Sequence, residues 1–130
     1  MAKILVVDDD YSVAGPLIDY LRYRGNSVEY ADNGKRGLEL ISLHFPDFII
    51  LDVEMPVLNG PKMAYRLLVE DCGRENIPIL LVSGIANLRV IAEAIVRTPY
   101  FVGKPFTLEE IDRSIEKLMR ERLPPHPRDT

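Results

Sequence analysis

Residues 48–60 read FIILDVEMPVLNG. This stretch decides the fold, because its apolar residues 48–51 have the pattern of a buried strand and an aspartate follows them directly. Four apolar residues lead directly into Asp52, and the turn residues Pro56, Asn59 and Gly60 follow. A continuous apolar run bounded by turn residues is typical of a strand that is covered on both faces. An aspartate at such a place is often a turn former or a cap, so its role depends on what other strands bring to the same edge.

Similar apolar runs recur along the chain, and helical patterns separate them. The runs lie at 4–7, 27–30, 79–82 and 100–102. The spacing predicts helices over about 12–24, 35–43, 61–70 and 88–96, and a fifth that starts at the TLEE capping box of residues 107–110. Five alternations of strand and helix predict an α/β fold, a doubly wound five-stranded parallel sheet with helices on both faces.

Two local features refine this prediction. The second run, SVEY, alternates polar and apolar residues, so we expect it near an edge of the sheet. Ser12 is expected to cap the first helix and Gly25 to end it. The last eight residues, LPPHPRDT, cannot continue a helix, which predicts a folded domain over 1–122 and a flexible tail over 123–130.

Composition excludes several classes of protein. The 130 residues carry a net charge of -4, which argues against direct binding of nucleic acid. We expect no membrane segment, because each apolar run is far shorter than the roughly 20 residues that a bilayer requires. The N-terminus does not have the layout of a signal peptide, and Cys72 is the single cysteine. A cytoplasmic location is therefore expected.

The strand ends carry a set of groups suited to phosphate chemistry. The first strand delivers Asp8, Asp9 and Asp10, the third Asp52, the fourth Ser83, and the fifth Lys104. Carboxyl ends of parallel strands meet at one edge, where ligands bind in such sheets. Clustered carboxylates without histidine or cysteine favour Mg²⁺, and a lysine and a hydroxyl opposite them favour a phosphoryl group. Asp10 is expected to serve as a helix-start residue instead.

Four motifs in this order resemble a response-regulator receiver domain, of the stand-alone type found in chemotaxis regulators. They are VVDDD, LDVEMPVLNG, LVSG and VGKPF, and the resemblance covers about 3–120. It implies a flavodoxin-like strand order, 2-1-3-4-5. It also implies the roles of single residues: Asp52 as phosphoacceptor; Asp8, Asp9, Asp52 and the backbone carbonyl of Glu54 as Mg²⁺ ligands; Ser83 and Lys104 as contacts of the phosphoryl group; Ser83 and Phe101 as switch residues.

The resemblance further implies a function in two-component signal transduction. A sensor histidine kinase or a histidine phosphotransfer protein would be the phosphodonor, docking near Pro16, Leu17 and Tyr20. Phosphorylation would switch a protein-binding surface made by the fourth helix, fifth strand and fifth helix. That surface includes Leu88, Arg89, Ile91, Ile95, Tyr100 and the exposed face of residues 107–120. The protein would be a switch and not a turnover enzyme; its downstream protein partner and a homodimer formed on phosphorylation stay open. A cis bond before Pro105 is also implied.

Three other classes of protein compete with this interpretation. A phosphatase of the haloacid-dehalogenase type would need a DxD pair, a cap domain and a longer chain. A flavin-binding protein would need a loop rich in glycine or hydroxyl groups after the first strand, where this chain has acids. A pseudo-receiver would bind protein only, against which the complete acid set argues.

Overall fold

The computed structural model describes residues 1–70 and 76–128, in which five parallel strands form a single sheet. The strands are β1 (Lys3–Val7), β2 (Ser27–Ala31), β3 (Phe48–Leu51), β4 (Ile79–Ser83) and β5 (Phe101–Gly103). Their order is β2-β1-β3-β4-β5, and every pairing is parallel. The predicted doubly wound sheet is confirmed, and SVEY lies in an edge strand as expected.

Helices alternate with these strands along the chain. They are α1 (Tyr11–Tyr23), α2 (Gly34–Leu43), α3 (Gly60–Val69), α4 (Leu88–Val90) and α5 (Leu108–Glu121). A π-helical segment, Ile91–Val96, continues α4, so the predicted helix over 88–96 is confirmed in its bounds, and the π-helical form of most of its length is the new feature. This helix ends at Arg97, which adopts a left-handed conformation with φ 59°, before Pro99 can act as the stop.

The two faces of the sheet are covered by different helices. Buried residues of α2, α3 and α4 pack on one face, and those of α1 and α5 on the other. Along β3, Phe48 and Ile50 face α1 and α5, whereas Ile49 and Leu51 face the opposite layer. Because both faces are buried, every position of this strand is apolar, which explains why FIIL does not alternate.

The helix ends match the expected chemistry with one correction. Asp10, not Ser12, caps α1, because the Asp10 carboxylate accepts the backbone N–H of Ser12. This agrees with the prediction that Asp10 is a helix-start residue. The expected capping box of α5 is present, with Thr107 and Glu110 each bonding to the other's backbone N–H. Gly25 follows the end of α1 with φ 92°.

Gly60 lets α3 begin directly against the end of β3. A Cβ atom at Gly60 would lie 2.1 Å from the carbonyl oxygen of Asp52, which is closer than atoms can approach. The Gly60 N–H donates to the carbonyl of Val53, at 2.9 Å, and Asn59 caps the helix by accepting the N–H of Lys62. The glycine is therefore needed for space beside the Asp52 backbone.

The C-terminal segment, which the sequence predicted to be a flexible tail, contacts the end of the π-helical segment Ile91–Val96. The N–H groups of His126 and Arg128 donate to the carbonyls of Arg97 and Ile95, at 3.3 and 2.8 Å. Pro125 and Pro127 are buried, whereas His126 and Arg128 are exposed. The sequence could not indicate this contact, because the acceptors are end-of-helix carbonyls that the π-helical turn leaves open.

Four further points concern Cys72, His44, the bond before Pro105 and membrane-spanning helices. Cys72 lies outside the described residues. His44 is exposed and contacts Glu29 at 3.0 Å. The bond between Lys104 and Pro105 is cis, as the resemblance implied. Among the described residues, no helix combines the length and the apolar character needed to cross a membrane.

Replacing Gly60 with alanine should lower the free energy of unfolding by about 3 kcal/mol, because the added methyl group would overlap the Asp52 backbone. Urea unfolding measures the change. Gly103→Ala is the matched control, since a Cβ there would meet no atom of the described residues within 4 Å. Equal stability of the two variants would contradict the close approach seen at Gly60.

Deleting residues 123–130 should lower the free energy of unfolding by about 1–2 kcal/mol, because two buried prolines and three hydrogen bonds are lost, including the one from the Leu123 N–H to the Tyr100 hydroxyl. Amide hydrogen exchange within 88–98 should accelerate, while exchange within α2 stays unchanged. Deleting residues 129–130 alone is the control, since it keeps the described contacts. Unchanged exchange at α4 after the longer deletion would show that the segment does not support this helix.

Candidate functional site

Four side chains from four strand ends meet at the carboxyl edge of the sheet. Asp8 follows β1, Asp52 follows β3, Ser83 ends β4, and Lys104 follows β5. The Lys104 ammonium lies 2.7 Å from the Asp8 carboxylate and 3.5 Å from that of Asp52. All four are largely buried, with Lys104 the most exposed, at 17% of its side chain. The structure thus brings together the residues that the strand ends predicted.

Backbone hydrogen bonds hold Asp52 in place. Its N–H donates to the carbonyl of Val7 at 2.9 Å, and its own carboxylate accepts the N–H of Val53 at 2.7 Å. On the other side of the site, the N–H of Lys104 donates to the carbonyl of Ser83 at 2.9 Å. The side chains of this site therefore stand on continuations of the sheet and not on free loops.

The acids form a group with the dimensions of a cation site. Carboxylate oxygens of Asp8, Asp9 and Asp52 lie within 4.8 Å of one another. Asp8 and Asp52 are buried, whereas Asp9 is exposed. A set of oxygen donors alone fits a hard ion such as Mg²⁺ better than a transition metal. The Glu54 side chain is exposed. The backbone carbonyl of Glu54 stays a predicted Mg²⁺ ligand.

Charge at the site is unbalanced, and the pKa values reflect this. Burial and the neighbouring charge of Asp8 raise the pKa of Asp52, although Lys104, the Ser83 hydroxyl and the Val53 N–H act in the opposite direction. Burial alone would lower the pKa of Lys104, but its bond to Asp8 and the charges of both acids raise it. The ammonium therefore stays charged, and it does not fully compensate the carboxylates.

The two predicted switch residues lie on neighbouring strands. Ser83 is 3% exposed and is close enough to the Asp52 carboxylate to lower its pKa. Phe101 is half-buried at the start of β5, and the Arg89 guanidinium lies 5.8 Å from the centre of its ring. Ser83 is therefore part of the site itself, whereas Phe101 connects β5 to the surface of α4.

Tyr30 is a neighbour of the site that the sequence interpretation missed. Its hydroxyl donates to the backbone carbonyl of Asp8 at 2.6 Å. Burial, followed by the charges of Asp32, Asp8 and Asp9, raises its pKa, which keeps the hydroxyl protonated. The strand ends that the sequence assigned to the site do not include the end of β2. Tyr30 stands one residue before the end of β2, but its bond to Asp8 depends on tertiary packing and has no local signal in the sequence.

Comparison with known proteins identifies close relatives. The family model described as response regulator receiver domain matches residues 4–116. The chain is 35% identical over 123 residues to the response regulator MprA of Mycolicibacterium vanbaalenii, which covers 94% of this chain and 52% of that protein. MprA of Mycobacterium leprae is 34% identical over the same length. The chain thus spans about half the length of the curated relatives it matches.

Solved structures agree with this similarity. A response regulator from Chloroflexus aurantiacus superposes with a TM-score of 0.81 and 26% identity, covering 92% of this chain and 98% of that chain. The chemotaxis protein CheY4 of Vibrio cholerae gives 0.77 and 28%, covering 90% of this chain and 98% of that chain. The receiver fold is therefore shared over nearly the whole described chain.

Asp52→Asn should stabilise the protein at neutral pH in the absence of divalent cations, raising the melting temperature by about 3 °C. The ionised carboxylate is disfavoured by burial and by Asp8, and asparagine removes that cost. Because the pKa is raised in the folded state, the wild type recovers stability as pH falls through that pKa toward 3.8. The difference between the two proteins should then close.

Thermal unfolding between pH 7 and pH 4 measures this difference. Asp19→Asn on the exposed face of α1 is the control and should leave the melting temperature unchanged. A less stable Asp52→Asn variant at neutral pH would mean that the pairing of Asp52 with Lys104 outweighs its burial.

Proposed function

The chain belongs to the response-regulator receiver domain family, and on this premise we propose that Asp52 accepts a phosphoryl group in two-component signal transduction. One observation carries the proposal. The carboxylate of Asp52 stands at the centre of the strand-end site, within reach of Lys104 and beside Asp8 and Asp9. The family supports a switch that accepts phosphate, and the assignment of the residues to their roles is our own.

The reaction follows from the placement of these groups. A carboxylate oxygen of Asp52 attacks phosphorus as the bond to the donor imidazole breaks, and the departing imidazole retains or takes up a proton. Lys104 contributes a fixed positive charge that can contact a phosphoryl oxygen, and the Ser83 hydroxyl can donate to another. The N–H of Val53 holds the second carboxylate oxygen in place. The product is an acyl phosphate, which water can later cleave back to Asp52 and inorganic phosphate.

Mg²⁺ fits the donor set of this site. Asp8, Asp9, Asp52 and the Glu54 carbonyl would hold it, and the bound ion would neutralise charge on the phosphoryl oxygens. Three acids facing one ammonium leave negative charge that a divalent cation compensates. Until that charge is compensated, the three acids repel an approaching phosphoryl anion.

Phosphorylation would be read out through Ser83 and Phe101. Drawing the Ser83 hydroxyl toward the phosphoryl group would move the segment after β4, and Phe101 would respond on the next strand. Arg89 is exposed, and Ile91 and Ile95 are half-buried, so these three can contact a partner. Leu88 and Tyr100, which were expected on this surface, are 6% and 2% exposed and belong to the core.

The phosphodonor would be a histidine kinase or a phosphotransfer protein that approaches beside α1. Pro16 is exposed there and can contact it. Leu17 is 3% exposed, and the Tyr20 hydroxyl donates to Asp112 on α5, so these two residues support the helix instead. A homodimer formed on phosphorylation and a cytoplasmic location are parts of the same proposal.

Incubation with acetyl phosphate and Mg²⁺ should add one phosphoryl group to the intact protein, as measured by mass spectrometry. The gain should disappear in Asp52→Asn and on chelation of Mg²⁺, because the acceptor oxygen or the charge compensation is lost. Asp19→Asn is the matched control and should be phosphorylated as the wild type is.

Phosphorylation of Asp52→Asn to the wild-type level would contradict the assignment. If the wild type gains no mass, beryllofluoride with Mg²⁺ tests for a short-lived product, and failure to bind it would favour the pseudo-receiver. Sustained release of phosphate from phosphate esters would favour the phosphatase.

A further inference from the structure

The loop that carries the acids is anchored at its backbone by a side chain from the edge strand. The pairing of β1 with β2 ends at Val7 and Ala31. The Asp8 N–H still donates to the carbonyl of Ala31 at 3.0 Å, but the Asp8 carbonyl lies beyond the ladder. The Tyr30 hydroxyl donates to this carbonyl at 2.6 Å. A side chain thus supplies the hydrogen bond that the next rung of the sheet would otherwise provide.

The ring of Tyr30 is held so that its hydroxyl stays in this position. Tyr30 packs against the buried cluster beneath α1, and the Tyr11 ring meets it edge-on, with centres 5.1 Å apart and planes at 74°. Gly15 makes room for Tyr11, because a Cβ at Gly15 would lie 2.8 Å from that ring. Aromatic contacts of this kind restrict the ring and therefore place the hydroxyl in advance.

The carbonyl that Tyr30 binds belongs to the peptide that joins Asp8 to Asp9. Because a peptide is planar, fixing its carbonyl also fixes the direction in which the chain enters Asp9. The Asp8 carboxylate is restrained separately, by the N–H of Asp10 at 2.9 Å and by Lys104 at 2.7 Å. Asp9 is exposed. Among the contacts of the described residues, its carboxylate is therefore restrained mainly through the orientation of the Asp9 backbone.

We propose that Tyr30 is a positioning residue for the cation site: its hydroxyl orients the peptide between Asp8 and Asp9 and so prearranges the Asp9 carboxylate for Mg²⁺ beside the separately held Asp8 carboxylate. The inference rests on the proposed function, because it takes these acids to be the Mg²⁺ ligands. Groups arranged before binding lose less conformational freedom when the ion arrives. Residues that orient metal ligands in this way commonly have a measurable effect on affinity.

Tyr30→Phe tests the proposal, because it removes the hydroxyl and keeps the ring. Isothermal titration of the unphosphorylated full chain with MgCl₂ should give a dissociation constant about fivefold higher than that of the wild type. The Mg²⁺ concentration that gives half the maximal rate of phosphorylation by acetyl phosphate should rise in parallel. The rate at saturating Mg²⁺ should stay within about twofold of the wild type, because Tyr30 does not contact the phosphoryl group.

Tyr23→Phe is the matched control, since it removes a hydroxyl from a side chain that is 86% exposed. Its Mg²⁺ affinity should equal that of the wild type. Melting temperatures without Mg²⁺ separate positioning from plain structural support, because a merely structural tyrosine would lower the melting temperature and leave the dissociation constant unchanged.

Two results would overturn the inference, and they are distinguishable. A wild type and a Tyr30→Phe variant that bind Mg²⁺ equally well, while Asp52 is phosphorylated in both, would refute the role of Tyr30 alone. A wild type that binds no Mg²⁺ would refute this role and the proposed function together.

Discussion

The repulsion between buried carboxylates at one sheet edge is the constraint on which the rest of this structure depends. Asp8 and Asp52 are held close together, and Lys104 lies between them at 2.7 and 3.5 Å. Burial, followed by the charge of Asp8, raises the pKa of Asp52, although the Lys104 ammonium acts in the opposite direction. The fold maintains this costly arrangement, and such cost is a common property of functional sites.

The sheet provides the rigidity that the arrangement requires. Asp52 continues β3, which is buried on both faces, and its N–H is bound to Val7 of β1. Gly60 then allows α3 to start against the Asp52 backbone. The backbone N–H of Lys104 donates to the carbonyl of Ser83. The Lys104 ammonium and the Ser83 hydroxyl are therefore carried by the paired strands β4 and β5. The backbones that carry these charged groups cannot move apart without breaking strand pairing, so protonation of Asp52 or a bound cation is left to relieve the repulsion between the acids.

Much of the fold and of the candidate site could be predicted, because the local sequence shows where each strand ends. Apolar runs that stop at Asp8, Asp52, Ser83 and Lys104 indicate both the sheet and the site. Three features were not predictable in this way. The π-helical turn of Ile91–Val96, the contact of Arg128 with Ile95 and the bond from Tyr30 to Asp8 each join residues whose proximity arises only from tertiary packing. Ser12 also matched a cap pattern that Asp10, two residues earlier, satisfied better.

The central claim is that Asp52, among the clustered acids, receives the phosphoryl group, and chemical trapping tests it most directly. Borohydride reduces an aspartyl phosphate to homoserine, so the phosphorylated protein can be reduced, digested and sequenced by tandem mass spectrometry. The account predicts homoserine at position 52 and unaltered aspartate at positions 8 and 9. Homoserine at either of those positions, with position 52 unaltered, would contradict it.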